Sequence, residues 1–176
     1  MTPETKQKLK KAALWTGLGI FSVELYMAMV VRRQHRRDLF NQALDAAKNT
    51  HKQLIVVGDP DGYWVSRLTG RDFDCGALCI DPKACPKCPT QAVGDVVTVL
   101  SKFKSNDAVI FVNTGVLERE ANATAALAQL KRVSGGDLFI STFEPYLPSA
   151  FMWPNKRRVL NAGTPQMTLK ALPWGS

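Results

Sequence analysis

Two short apolar runs, each closing on an acid, constrain the fold of this chain most. Gln53-Leu54-Ile55-Val56-Val57 leads into Gly58-Asp59-Pro60-Asp61-Gly62, and Ala77-Leu78-Cys79-Ile80 leads into Asp81. Strands covered on both faces read as continuous apolar runs, as parallel sheets require, and ligands of such sheets gather beyond the carboxyl ends of the strands. Asp59 and Asp81 therefore stand at the edge where a nucleotide-type cofactor would bind.

The elements that follow alternate as an open α/β sheet does. Strands are predicted at Leu54–Val57 and Ala77–Ile80, with a short helix near Tyr63–Leu68 between them and an irregular segment rich in cysteine and proline after them. Val96–Phe103 reads as a short helix or strand, Asp107–Asn113 as a buried strand, and Glu118–Val133 as an amphipathic helix with Ala125, Leu127, Leu130 and Val133 inward. Gly135-Gly136 ends that helix, and Asp137–Thr142 is a further strand. Prolines 145, 148 and 154 exclude a long helix beyond it, leaving edge strands at Arg157–Leu160 and Met167–Leu169.

Upstream, Ala12 to Val31 contains twenty residues with Glu24 as the only charge. At about 1.5 Å rise per residue this matches the roughly 30 Å hydrocarbon core of a bilayer. Arg32-Arg33-Gln34-His35-Arg36-Arg37 follows at once, the pattern of a retained single-pass anchor rather than of a cleaved signal. The chain thus divides into a basic tail (1–11), a transmembrane helix (12–31), a basic juxtamembrane helix (32–52) and an α/β domain (53–176).

The formal charge of +8 is concentrated at Lys6, Lys8, Lys10, Lys11, Arg32, Arg33, Arg36 and Arg37. These flanks of the span account for the charge through membrane lipid, so nucleic acid is not the expected partner. Arg37, Lys48 and Lys52 tip the soluble domain toward the cytosol. Glu24 is costly in lipid unless it faces a partner helix, and Ala13-xxx-Gly17 offers a small-residue face for a membrane-protein partner or a second copy.

Cys75, Cys79, Cys85 and Cys88 are the four cysteines of the chain, spaced C-x3-C-x5-C-x2-C. The pair Cys85-Pro86-Lys87-Cys88 has the close spacing of a zinc knuckle; a disulfide and free core thiols are the alternatives, and a cytosolic domain makes the disulfide least favoured. The two histidines, His35 and His51, both precede the first strand, which argues against a histidine-based triad within the domain. No GxxxxGK[ST] loop and no HExxH pair occurs, arguing against a P-loop enzyme or a zincin.

Asn106-Asp107-Ala108-Val109-Ile110-Phe111-Val112-Asn113-Thr114-Gly115-Val116-Leu117-Glu118 resembles the fourth-strand motif of class I S-adenosylmethionine-dependent methyltransferases. Ala126-Leu127-Ala128-Gln129-Leu130-Lys131-Arg132-Val133-Ser134-Gly135-Gly136-Asp137-Leu138-Phe139-Ile140 is similar to the helix, glycine turn and fifth strand that follow there. The likeness covers Gln53 to Thr142. It implies a Rossmann-like, mostly parallel sheet flanked by helices. It also implies Gly58, Asp59 and Gly62 around the methionine part of the cofactor, Asp81 on the ribose hydroxyls, Asp95 near the adenine amine and Asn113 facing the methyl group.

Methyl transfer can rely on positioning donor and acceptor, so the scarcity of histidine is compatible with it. Pro60 and the acids of the first loop depart from the family's alternating glycines, and Asn113-Thr114-Gly115 lacks the proline motif of amino-methylating members. These departures favour a second reading, a non-catalytic structural or assembly subunit of a membrane complex, a viral membrane included. Each acid also has a purely structural role open to it: Asp59 and Asp61 as helix caps, Asp81 as a turn residue, and Glu118 and Glu120 at a helix amino terminus.

Overall fold

The computed structural model describes residues 2–59, 75–142, 157–160 and 167–171. Helix α1 (Pro3–Tyr26) opens with Thr2, whose hydroxyl accepts from the Thr5 N–H, and with proline at a position whose N–H would have no helical acceptor. One π turn, Met27–Val31, joins it to α2 (Arg32–Thr50), giving a 48-residue helix from Pro3 to Thr50. The two halves differ in surroundings. No residue of α1 is buried, and Leu14, Trp15, Phe21 and Tyr26 are all more than half exposed. This N-terminal helix is long and apolar enough to span a membrane.

In α2, by contrast, Arg36, Leu39, Phe40, Ala43 and Ala47 fall on one stripe at helical spacing. The small Ala43 and Ala47 are buried against the sheet, and Phe40 meets Phe111 edge to face with ring centroids 5.5 Å apart. The helix ends at His51, which takes the left-handed conformation (φ 55°) and turns the chain straight into the first strand.

Five parallel strands form the sheet: β1 (Gln53–Val57), β2 (Leu78–Asp81), β3 (Gln91–Val93), β4 (Ala108–Val112) and β5 (Leu138–Ile140), in the order β3-β2-β1-β4-β5. The chain steps outward from β1 to β3, then crosses back to place β4 on the other side of β1. In register, Val56 pairs with Cys79 on one side and Phe111 on the other.

Alternation along each strand supplies two cores. Ile55, Val57, Ile80, Ile110 and Val112 face α3 (Val96–Leu100), α4 (Val116–Arg119) and α5 (Ala123–Ser134). Leu54, Val56, Val109 and Phe111 lie beneath α2. The result is an α/β domain with helices on both faces of a parallel sheet.

Several elements differ from expectation. The single helix anticipated over Glu118–Val133 is two, α4 and α5, with Glu120 extended between them (φ −64°, ψ 125°). In one straight helix Leu117 and Ala126, nine residues apart at about 100° each, would point to opposite sides; the break lets both be fully buried. Ala126, not Ala125, joins Leu127, Leu130 and Val133 on the inner face of α5.

Strand β3 arises within the segment expected to be irregular: three residues with only Ala92 packed against the core are too few to show a period. Arg157–Leu160 (β6) and Thr168–Ala171 (β7) pair antiparallel as a two-stranded sheet of their own, not as edges of the main one. The helix expected near Tyr63–Leu68 and prolines 145, 148 and 154 lie outside the described residues.

Candidate functional site

Because the strands are parallel, the residues following β1, β2, β3 and β4 all emerge along one edge. A chain of hydrogen bonds connects them there. The Gly58 N–H donates to the Ile80 carbonyl (2.8 Å), the Asp59 N–H to Asp81 Oδ2 (2.7 Å), and the Gly94 N–H to the Asp81 carbonyl (3.0 Å). Asn113 Nδ2 donates to the Gly58 carbonyl (2.9 Å). Gly58, Asp59, Asp81 and Asn113 are thereby joined at the carboxyl edge, with Asp95 next to Gly94 there; Gly62 lies outside the described residues.

Gly58 has φ 93°, and a Cβ at that position would collide with a methyl of Val116 and press on Asn113. Glycine is required here both by the backbone angle and by the close approach of the β4–α4 connection. Asp81 is half-buried, with Oδ2 held by the Asp59 N–H and Oδ1 by the N–H of Lys83 (2.8 Å). The turn-forming role is thus real, yet a carboxylate offers about four lone-pair sites and two are taken.

Asp95 caps α3, its Oδ1 accepting from the N–H groups of Val97 (2.8 Å) and Thr98 (3.1 Å). Glu118 is buried and accepts from the Gly115 N–H (3.0 Å), holding the start of α4. Both are helix-terminus acids of the ordinary kind.

Asn113 is buried and engaged on both ends of its amide: beyond Gly58, its Oδ1 accepts from Arg36 Nη1 at 3.1 Å. Arg36, 2% exposed, is the residue that sequence reasoning missed. It reads as one of a basic cluster beside the membrane span, but its place on the apolar stripe with Phe40 and Ala43 was the available signal. Thr114 and Ser141 add a second pair at this edge, their hydroxyls 2.6 Å apart across β4 and β5.

The cysteines form a buried cluster on the α2 side of β2. Cys75 and Cys88 are joined in a disulfide, with Cα atoms 5.5 Å apart, and Cys79 and Cys85 are thiols. The Cys88 N–H donates to the Cys85 carbonyl (3.0 Å), closing a knuckle in which the two sulfurs lie 3.3 Å apart. Burial, with the nearby Cys85, Asp81 and Asp59, pushes the Cys79 thiol up to about 12. Burial and then a hydrogen bond with Asp59 also raise Cys85. Asp59 therefore links the two features of this edge, its N–H on Asp81 and its carboxylate on Cys85. In this disulfide state no group of three or more metal-ligating side chains is found among the described residues.

No protein-family model, curated protein or solved structure matches this chain.

Proposed function

We propose that this chain is a single-pass membrane protein whose Rossmann-like domain holds S-adenosylmethionine along the carboxyl edge of its sheet and positions it for methyl transfer. The observation that carries this reading is Asp81: a partly exposed carboxylate at the end of β2, one strand from the switch point between β1 and β4, oriented by two backbone N–H groups and retaining acceptor capacity. Carboxylates so placed accept ribose hydroxyls in dinucleotide-binding sheets. When bound, the cofactor supplies an electrophilic methyl group. Asp81 would hold its ribose and the exposed carboxylate of Asp95 its adenine amine.

A second reading is favoured by Asn113. With both ends of its amide engaged inside the protein, by Gly58 and Arg36, it acts as a strut rather than a group facing a methyl. That arrangement suits a non-catalytic assembly subunit that keeps the fold. Calorimetric titration of S-adenosylmethionine into the full chain in detergent micelles separates the two. Micromolar binding weakened at least tenfold in Asp81→Ala supports the first; absence of binding to folded wild-type protein leaves the second.

The anchor reading draws support from the continuity of α1 with α2. An apolar helix with no buried residue runs directly into one whose inner face covers the sheet. Glu24 and Arg32 face each other at 3.5 Å, which lowers the cost of the one charge in the span. The basic residues after the span favour a cytosolic domain. In that compartment glutathione or thioredoxin thiols would reduce the Cys75–Cys88 bond to two thiols, themselves becoming a disulfide. Four thiols already gathered in one buried cluster then suit tetrahedral Zn2+, for which Zn–S of about 2.3 Å sets sulfur separations near 3.8 Å. One zinc per chain in protein kept reduced, lost together in Cys85→Ser/Cys88→Ser, is expected; zinc-free reduced wild type would remove the idea.

A further inference from the structure

We infer that the carboxyl edge of the sheet faces the bilayer and lies against anionic phospholipid headgroups. The inference rests on α1 being a membrane span, and it follows from the direction of α2. Near its start, Arg36 reaches Asn113 at the carboxyl ends of the strands (3.1 Å). Just past its end, Lys52 Nζ reaches Asn106 Oδ1 (2.6 Å) and Asp137 Oδ2 (2.9 Å), which precede β4 and β5 at the amino edge. Helix α2 therefore runs opposite to all five strands, and the end that meets the carboxyl edge is the end continuous with α1.

The distances are short. Val31 closes the apolar segment, and from 31 to 36 is five residues, about 7.5 Å of helical rise. The interfacial layer adds roughly 5–8 Å on each side of the hydrocarbon core, so Arg36, Asn113 and the Gly58 turn stand at headgroup depth. From Arg36 to Thr50, the end of α2, is fourteen residues, which carries the amino edge about 21 Å farther out. A typical tilt of about 20° shortens these rises by only a few per cent. No flexible linker intervenes, since one unbroken helix connects span and sheet cover.

The rim carries exposed cations beside the acids Asp59, Asp81 and Asp95. Arg37 is exposed on the first turns of α2, and Lys83 is exposed just beyond β2 at the same edge. Cations at this depth are drawn to anionic lipid. A second substrate of the site would then be reached from the bilayer surface.

The test uses the full chain in nanodiscs of phosphatidylglycerol and phosphatidylcholine carrying a gadolinium chelate on the headgroup of a minor lipid. Paramagnetic relaxation of the amides of Gly58, Thr114 and Gly115 is expected to exceed that of Asn106, Gly135 and Gly136 at least fivefold. Equal or reversed rates, with α1 amides shielded from a water-soluble gadolinium reagent, overturn the orientation alone. If the α1 amides are as open to that reagent as His51, the span itself fails and the inference with it. The double variant Arg37→Glu/Lys83→Glu is expected to lower the carboxyl-edge rates at least twofold. Unchanged rates in that variant would overturn the role of anionic headgroups.

Discussion

The two edges of the sheet are each tied by one cation and one asparagine, Arg36 from within α2 and Lys52 from just past its end, yet the ties differ in kind. At the carboxyl edge Arg36, Asn113 and the Gly58 carbonyl form a buried relay. At the amino edge Lys52 joins Asn106 and Asp137 with its side chain 21% and that of Asp137 34% exposed. Buried polar groups are costly to leave without partners, whereas exposed ion pairs contribute little. The comparison teaches that the edge carrying the candidate site is the one fastened most firmly, with its asparagine committed to the scaffold.

The largest effect is expected from breaking the buried relay. Asn113→Ala removes a donor from the Gly58 carbonyl and one acceptor from Arg36, both at buried positions. A loss of about 3 kcal/mol is expected in chemical denaturation of the full chain in micelles. A loss below about 1 kcal/mol would mean that water replaces the amide and that this edge is more open than the packing indicates. Gly58→Ala should come next. The residue needs φ 93° and has Val116 against it, so about 2 kcal/mol is expected, from backbone strain and a displaced β-branched side chain.

How much of this was legible in the sequence depends on the kind of signal. Strands β1, β2, β4 and β5 were legible because burial on both faces writes itself as Leu54–Val57 or Val109–Val112, and α5 because its period is regular. The residues at the ends of β1, β2 and β4 were legible for the same topological reason: once those strands are parallel, Asp59, Asp81 and Asn113 must share an edge, whereas Asp95 follows the unanticipated β3. What those side chains do there was not, since a turn-forming Asp81 and a ligand-holding Asp81 have the same neighbours in sequence.

Long-range partners were the least legible. Nothing local marks Arg36 as the partner of Asn113, 77 positions away, because a basic cluster after an apolar span already has a sufficient explanation in lipid headgroups. The split between α4 and α5 was hidden similarly: Leu117 and Ala126 each fit a helix, and only their common burial shows that they cannot share a straight one.

The smallest effect sharpens the contrast between the edges. Lys52→Met keeps the apolar stem and removes the ammonium, so only the polar contacts with Asn106 and Asp137 are lost. Solvent screening at this partly exposed site limits the cost to about 1 kcal/mol. Salt then separates the two mechanisms: at 1 M ionic strength the Debye length falls to about 3 Å, and most of the penalty for Lys52→Met should vanish. The penalty for Asn113→Ala arises from buried groups deprived of hydrogen bonds and should persist at the same salt. Denaturation midpoints of wild type and both variants at low and high salt measure this directly, and equal salt sensitivity of the two variants would mean that the edges are fastened by the same physics after all.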